Sequence, residues 1–277
     1  FPQGGFGQGQ RPQGFGQGQR QGQFGQGGQR RGGNQFEGRK LVSKEVLYER
    51  MREHIHTVVN RYKDVVYCWD VFNEAIADGG NDPMRNSTFY QIVGSDEFIG
   101  KAFQFAREAD PNCLLFYNDY NECNPQKRDR IYNLVKDLKS KGYPIDGIGM
   151  QGHYNIYDNP NIEDFEKAIQ MYLELVDDIQ ITEFDVRINH EAGGGLSFSR
   201  GEGQVLSDSI AQMQQQKYEE LFQVLRKYKK NFSCVTFWNL GDRDSWLGAN
   251  NFPLLFDGDY NRKPVYYTVR DFKKNKK

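Results

Sequence analysis

The chain has few cysteines, almost no net charge and no long hydrophobic run. Its 277 residues include four cysteines, which lack the spacing of metal ligands and are too few for a fold built on disulfides. The 36 basic and 37 acidic side chains give a formal net charge of −1. A dedicated nucleic-acid binder needs a basic face for the phosphates, so that class is disfavoured. No stretch of about 18 apolar residues occurs, so no membrane span is predicted.

Aliphatic side chains are missing from the first part of the chain. Residues 1–38 hold 14 of the 30 glycines, 11 glutamines and five phenylalanines. They repeat with a period of nine: FGQGQRPQG, FGQGQRQGQ and FGQGGQRRG, beginning at Phe6, Phe15 and Phe24. So few apolar groups cannot offset the entropy of ordering, and the composition predicts a disordered Gly/Gln-rich linker. The alternative, an RNA-binding Gly/Arg segment with interspersed aromatics, has only four arginines in its favour.

From residue 39 onward, apolar runs alternate with segments of helical periodicity. This alternation predicts a parallel sheet covered by helices. The predicted strands span 65–74, 114–121, 145–153, 179–186 and 234–240. The predicted helices span 43–63, 95–109, 131–142, 161–175, 207–229 and 264–273.

Each predicted strand is apolar at its start and polar at its end. Polar groups gathered at the carboxyl ends of parallel strands are typical of the catalytic face of a (β/α) barrel. An open doubly wound sheet also binds ligands there. However, no glycine-rich phosphate loop follows any of these strands, which disfavours a nucleotide site.

Two carboxylates stand at such strand ends. Glu74 ends the first run behind Asn73, and Glu183 ends the fourth, within Thr-Glu-Phe-Asp. Facing carboxylates across a barrel mouth suit glycoside hydrolysis, in which one acts as acid and base and the other as nucleophile or activating base. Trp238 and Trp246 fit platforms for sugar rings. The alternatives are that the carboxylates belong to structural ion pairs and the tryptophans to the core.

Five ordered motifs carry a specific resemblance. WDVFNEA (69–75) resembles the acid/base motif of glycoside hydrolase family 10, the endo-β-1,4-xylanases, and ITEFDV (181–186) resembles its nucleophile strand. Three further segments match in the same order: LFYNDYN (115–121), IDGIGMQGHY (145–154), and FWNLGDRDSWL (237–247) followed by PLLFDGDYNRKPVYY (253–267). The resemblance covers about residues 39–277.

The resemblance implies a retaining mechanism. Glu74 would be the general acid/base and Glu183 the nucleophile, held about 5 to 5.5 Å apart. Glu74 would need a raised pKa to carry its proton. Further roles follow from the same resemblance. Asn73 and Gln151 would contact the sugar being cleaved, and His153 and Asp185 would orient Glu183. Trp238 and Trp246 would cover the cleavage point, while Asn118 and Tyr120 would contact the leaving-group side. Asp70 would support the site indirectly.

The family's fold is a (β/α)8 TIM barrel, and the motifs begin at what resembles its fourth strand. We therefore expect residues 1–38 to form a linker and residues 39–277 to form a partial barrel with about strands 4 to 8. The first three βα units would lie upstream, in the same or another polypeptide. Five strands alone would leave unpaired sheet edges. A further departure is Asn239, where the family commonly has glycine.

The expected activity is hydrolysis of internal xylosidic bonds of xylan or xylo-oligosaccharides, without a cofactor or metal. The resemblance further implies a secreted, cell-surface or periplasmic bacterial protein. Three alternatives remain open: a non-catalytic glycan-binding fragment, which the missing units favour, a Gly/Gln-rich interaction protein whose folded part is incidental, and a retaining β-glucanase. Release of reducing sugar from xylan separates catalysis from binding alone.

Overall fold

Helices and parallel strands alternate along the chain in a computed structural model, which describes residues 40–189 and 206–271. The linker predicted for residues 1–38 lies outside the described residues. The strands are β1 (Cys68–Asn73), β2 (Leu114–Asp119), β3 (Gly147–Met150), β4 (His153–Asn155), β5 (Asp178–Arg187) and β6 (Phe232–Phe237). The helices are α1 (Lys44–Tyr62), α2 (Thr88–Val93), α3 (Glu97–Ala109), α4 (Pro125–Ser140), α5 (Ile162–Tyr172), α6 (Asp208–Lys227) and α7 (Pro264–Arg270).

The strands form one parallel sheet with five positions across it. β1 pairs with β2, β2 with β3, and β3 with the first half of β5. β4 pairs with the second half of β5, and β6 pairs with β5 on the other side. All these pairs are parallel, so the carboxyl ends of the strands meet at one edge of the sheet. The five expected strands are therefore present, and the third is divided in two.

Gly152 divides that third strand. Its φ of +78° breaks the extended backbone between β3 and β4. A Cβ at this position would lie 2.7 Å from Ile181 Cγ2 and 3.0 Å from Phe184 Cδ2, which is closer than side chains tolerate. The strand predicted for 145–153 is therefore in the right place, but the prediction that it is continuous is wrong.

Two helices differ from the sequence predictions. α4 begins at Pro125 rather than 131, because the Asn124 side chain caps its first turn and proline is favoured at the first helical position. α2 was not predicted at all. It is only six residues long, begins after a Ser87 cap and ends before Gly94, and is too short for a clear helical period.

Aromatic side chains fill the layer between the sheet and its helices. The fully buried ring of Phe184 on β5 lies 5.3 to 6.0 Å, between ring centres, from four other rings. Those rings come from strands and from α6, and they belong to Tyr154, Tyr218, Phe222 and Phe237. Such contacts fix β5 against α6.

The sheet remains open at both sides within the described part of the chain. There β1 pairs only with β2, and β6 pairs only with β5. Next to these edges, Val65 is 80% exposed and Leu240 is 60% exposed. Unpaired strand edges flanked by apolar side chains are a docking surface for further strands. Within residues 40–189 and 206–271, no helix combines the length and apolar character that crossing a bilayer requires.

Gly152→Ala tests the strand break. We expect a loss of about 2 to 4 kcal/mol in the free energy of unfolding, because the change adds left-handed backbone strain to a steric overlap. Gly142→Ala is the matched control: Gly142 has a φ of +85°, but a Cβ added there would meet nothing within 4 Å, so only the backbone cost of about 1 kcal/mol applies. Chemical denaturation measures both. Equal losses would contradict the steric argument.

Candidate active site

The polar strand ends surround one small cavity. Its volume is about 130 Å³. Side chains from β5, from the junction of β3 and β4, and from the segments after β1, β2 and β6 line it: Glu74, Tyr120, Gln151, His153, Glu183, Trp238 and Trp246. The structure thus brings seven of the predicted site residues to a single cavity, including both carboxylates.

Glu74 leaves β1 through a left-handed turn. Its φ is +59°, a conformation that costs a non-glycine residue about 1 to 2 kcal/mol. Three backbone N–H groups hold the turn. Those of Glu74, Ala75 and Ile76 donate to the Asn118 carbonyl at 2.9 Å, to the Tyr117 hydroxyl at 3.1 Å and to the Asp119 carboxylate at 3.4 Å. Groups of β2 therefore set the direction in which Glu74 points.

The carboxylate of Glu74 accepts hydrogen bonds on both oxygens. Gln151 Nε2 donates to Oε1 at 3.0 Å, and Arg85 Nη1 donates to Oε2 at 2.9 Å. Burial raises the pKa of Glu74, but these bonds and the charges of Arg85 and Lys127 outweigh it, so the pKa is lowered. The expectation of a raised pKa is therefore wrong for this structure, because the Arg85 cation was not foreseen.

Glu183 faces Glu74 from β5. His153 Nε2 lies 3.2 Å from Glu183 Oε2, and Asn118 Nδ2 donates to Glu183 Oε1 at 3.3 Å. Its backbone N–H donates to the Gln151 carbonyl at 2.9 Å, which ties β5 to the end of β3. This carboxylate is thus oriented by side chains from β2 and β4.

His153 lies between two carboxylates. Its Nδ1 is 3.0 Å from Asp185 Oδ2, and its other ring nitrogen contacts Glu183. Burial lowers the pKa of His153, but the hydrogen bonds and charges of Asp185 and Glu183 overcome it and raise the pKa to about 9. The imidazolium form therefore predominates at neutral pH, and it donates to both acids.

Trp246 contacts both His153 and Asp185. Its indole N–H donates to Asp185 Oδ2 at 3.0 Å, and its ring centre lies 4.8 Å from that of His153. Trp238 also lines the cavity and is 43% exposed. One tryptophan is thus anchored by a hydrogen bond, while the other presents an open indole surface.

Side-chain amides connect the two glutamates. Asn73 Oδ1 accepts from Gln151 at 3.1 Å and from Asn118 at 2.9 Å, which leaves its Nδ2 as the donor end. Gln151 contacts Glu74 and Asn118 contacts Glu183, so the three amides bridge the two carboxylates. We refer to Asn73, Asn118 and Gln151 as the amide bridge. Asn118 is almost fully buried, so it supports the site from below.

Tyr120 and Asp70 occupy different surroundings. Tyr120 lines the cavity, accepts from Arg85 Nη2 at 2.7 Å and donates to Asp78. Asp70 lies on β1, and its carboxyl is repelled by the Glu183 carboxylate. Loss of water around its carboxyl, followed by repulsion from Glu183, raises the pKa of Asp70 to about 6.

Sequence reasoning missed several supporting groups. Arg85 lies in the loop after β1, where no strand or helix pattern draws attention to it. Thr182 donates its hydroxyl proton to Asn118 Oδ1 at 2.7 Å and so fixes that amide. Lys127 is 1% exposed and contacts Asp78 at 2.8 Å and Asp119 at 3.0 Å. Asp119 lies inside the LFYNDYN motif, so its position in the sequence could have indicated that it supports the site.

The arrangement supplies an acid or base and a nucleophile at one cavity. Glu74 can exchange a proton, and Glu183 can attack while His153 and the amide bridge donate to it. No group of three or more histidine, cysteine, aspartate or glutamate side chains within the described ranges is arranged to hold a metal ion.

The chain is similar to known sequences over most of its length. The family model described as glycosyl hydrolase family 10 matches residues 34–272. An endo-1,4-beta-xylanase/feruloyl esterase of Xylanibacter ruminicola is 54% identical over 245 residues, which are 84% of this chain and 34% of that protein. An endo-1,4-beta-xylanase of Geobacillus stearothermophilus is 44% identical over 235 residues, which are 83% of this chain and 69% of that protein.

Solved structures give the same result. A psychrophilic glycoside hydrolase family 10 endo-beta-1,4-xylanase is similar with a TM-score of 0.77 and 54% identity, over 83% of this chain and 69% of that one. A mutant protein in complex with xylotriose is similar with a TM-score of 0.78 and 37% identity, over 84% and 71%. The chain therefore spans about a third of the bifunctional relative and about two thirds of the others.

The His153 pairing predicts a pH dependence. Because the folded pKa of about 9 exceeds the ordinary value of 6.5, the stabilisation is complete below about pH 6.5 and is lost as the pH rises through 9. The expected loss across this window is on the order of 3 kcal/mol. Histidine NMR titration measures the pKa, and urea denaturation measures the stability.

His153→Gln should flatten that slope. His54→Gln, a change at an exposed histidine of α1, should leave it unaltered. An ordinary pKa for His153, or an unchanged slope in His153→Gln, would contradict the pairing.

Proposed function

Since the chain belongs to glycosyl hydrolase family 10, we propose that the polypeptide containing it is an endo-β-1,4-xylanase that cleaves with retention of anomeric configuration. One observation carries the proposal: Glu74, which follows β1, and Glu183, which lies on β5, face one cavity and are joined by the amide bridge. The family's (β/α)8 barrel accounts for the parallel sheet and its covering helices.

The reaction has two steps. In the first, Glu183 attacks the anomeric carbon while Glu74 gives its proton to the departing glycosidic oxygen. In the second, Glu74 takes a proton from water, and the water oxygen replaces Glu183 at the same carbon. His153 and Asn118 stabilise the Glu183 carboxylate before and after the covalent intermediate.

Xylan and xylo-oligosaccharides are the proposed substrates. The tryptophans offer surfaces on which the C–H face of a pyranose can stack, and the xylotriose complex of a similar protein supports this choice. Because a long polysaccharide does not cross a cell membrane, we also propose that the enzyme is secreted or acts at the cell surface or in the periplasm. Fractionation of the producing cells with an antibody to this chain tests that location.

Further βα units are proposed to close the barrel. The open edges at β1 and β6 require strands on both sides, and the matched solved chains extend beyond the part that this chain covers. These units would come from the same or another polypeptide. They would also supply contacts to the sugars on the non-reducing side.

Glu183→Ala tests the chemistry. It should reduce the turnover of an activated aryl xylobioside by at least about 10³-fold, because the covalent intermediate can no longer form. Azide should restore turnover and give a glycosyl azide of inverted configuration, since the small anion fits the vacated space. Proton NMR of the unmodified enzyme should show the β-anomer first. An initial α-anomer would exclude retention, and hydrolysis of β-glucan in preference to xylan would exclude the proposed substrate.

The 277-residue chain expressed alone is expected to show no normal xylanase activity. Its open edges should cause aggregation, because apolar side chains intended for a closed barrel face water. Adding the missing units, covalently or as a separate polypeptide, should restore both a cooperative melt and hydrolysis. Size-exclusion chromatography, calorimetry and reducing-sugar assays measure this. A monomeric chain with full activity on xylan would contradict the proposed closure.

A further inference from the structure

The loop after β1 folds back onto the end of that strand. Ile76 and Met84 form an antiparallel bridge, and the backbone N–H of Arg85 donates to the Ala75 carbonyl at 2.8 Å. Arg85 is eleven residues from Glu74 in sequence, yet this turn brings their side chains into contact. The contact is therefore built by the backbone of the loop and does not depend on the guanidinium alone.

Both branches of the Arg85 guanidinium are engaged. Nη1 donates to Glu74 Oε2 at 2.9 Å, and Nη2 donates to the Tyr120 hydroxyl at 2.7 Å. Gln151 takes the other oxygen of Glu74. A proton on Oε2 would meet a donor instead of an acceptor, so this environment favours the ionised carboxylate.

Arg85 is in direct contact with Glu74, whereas the other charged groups nearby are engaged elsewhere. Lys127 is nearby, but its ammonium contacts Asp78 and Asp119 and lies 3.4 Å from the centre of the Tyr120 ring. On the opposite side of the cavity stand the Glu183 carboxylate and the His153 imidazolium, which contact each other. The Arg85 side chain is 39% exposed and is not among the residues that line the cavity.

We propose that Arg85 is a positioning residue that sets the proton affinity of Glu74 and holds it toward the leaving-group side of the cavity. This rests on the proposed role of Glu74 as acid and base. In the first step the proton of Glu74 passes to the glycosidic oxygen, and in the second step Glu74 takes one from water. Arg85 keeps its own protons throughout. It stabilises the carboxylate that begins the second step and resists the protonation that the first step requires.

The bond to Tyr120 gives the same cation a second effect. Tyr120 lines the cavity and in turn donates to Asp78, so Arg85 couples the acid to a cavity wall. Displacement of the guanidinium would move both groups together. The proposal therefore concerns position as well as charge.

The test measures the pKa of Glu74 in the longest native polypeptide that contains this chain. Glutamate labelled with ¹³C at Cδ is titrated by NMR, with Glu74→Gln to assign the signal. Arg85→Met should raise the pKa of Glu74 by about one unit, a tenfold change in proton affinity. Arg85→Lys keeps the charge and should show less than half that rise. Arg52→Met, which removes a surface arginine that contacts Glu108 between α1 and α3, should show none.

The pH profile of kcat/KM on a xylo-oligosaccharide should shift with the titration. Its alkaline limb should move to higher pH in Arg85→Met, because a weaker acid keeps its proton longer. Tyr120→Phe retains the charge of Arg85 and should leave the Glu74 pKa within about half a unit of its original value, since the direct ion pair persists.

An unchanged or lowered Glu74 pKa in Arg85→Met, or an equal rise in Arg52→Met, would overturn the proposal. So would a rise in Arg85→Lys as large as that in Arg85→Met, because the positive charge would then have no part in it. The NMR titration requires no turnover. If xylan is not cleaved but the pKa shifts as expected, the proposed function fails while the effect of Arg85 on Glu74 stands.

Discussion

The site depends on a rule of protein interiors: a carboxylate removed from water must accept hydrogen bonds from the protein. Two glutamates share a small cavity here, and each receives donors from side chains distant in sequence. The amide bridge provides some of these hydrogen-bond donors without adding charge. It also makes the geometry of each glutamate depend on the position of the strand that carries the other.

The parallel sheet makes this mutual dependence possible. β1, β2, β3 and β5 end at the same edge, so residues far apart in sequence meet within hydrogen-bond distance. Gln151 and His153 stand on either side of the break at Gly152, and one position in the sheet supplies both. The aromatic layer around Phe184 holds β5 from behind and keeps Glu183 in place.

Much of this arrangement could be predicted from the chain alone. Strand ends such as Asn73–Glu74 and the ITEFDV motif stand out because long apolar runs stop at acidic residues. Arg85 could not be found in this way, because its approach to Glu74 depends on the turn of a loop without periodicity. The unforeseen course of that loop also led to the wrong direction for the Glu74 pKa. The strand break at Gly152 was missed because a glycine within an apolar motif looks like part of a strand.

Successive residues of a strand point to opposite faces, yet Asn73 and Glu74 both contact Gln151. The left-handed backbone at Glu74 resolves this conflict, and Tyr117 and Asp119 hold it by bonds to the residues that follow. As a consequence, both glutamates can be present in a related sequence while the site is lost. A homologue with an apolar residue in place of Asp119 would keep both glutamates, yet its counterpart of Glu74 would point in another direction. Counting the two carboxylates is therefore not enough to classify such sequences as active, and the side chains of β2 must be counted with them.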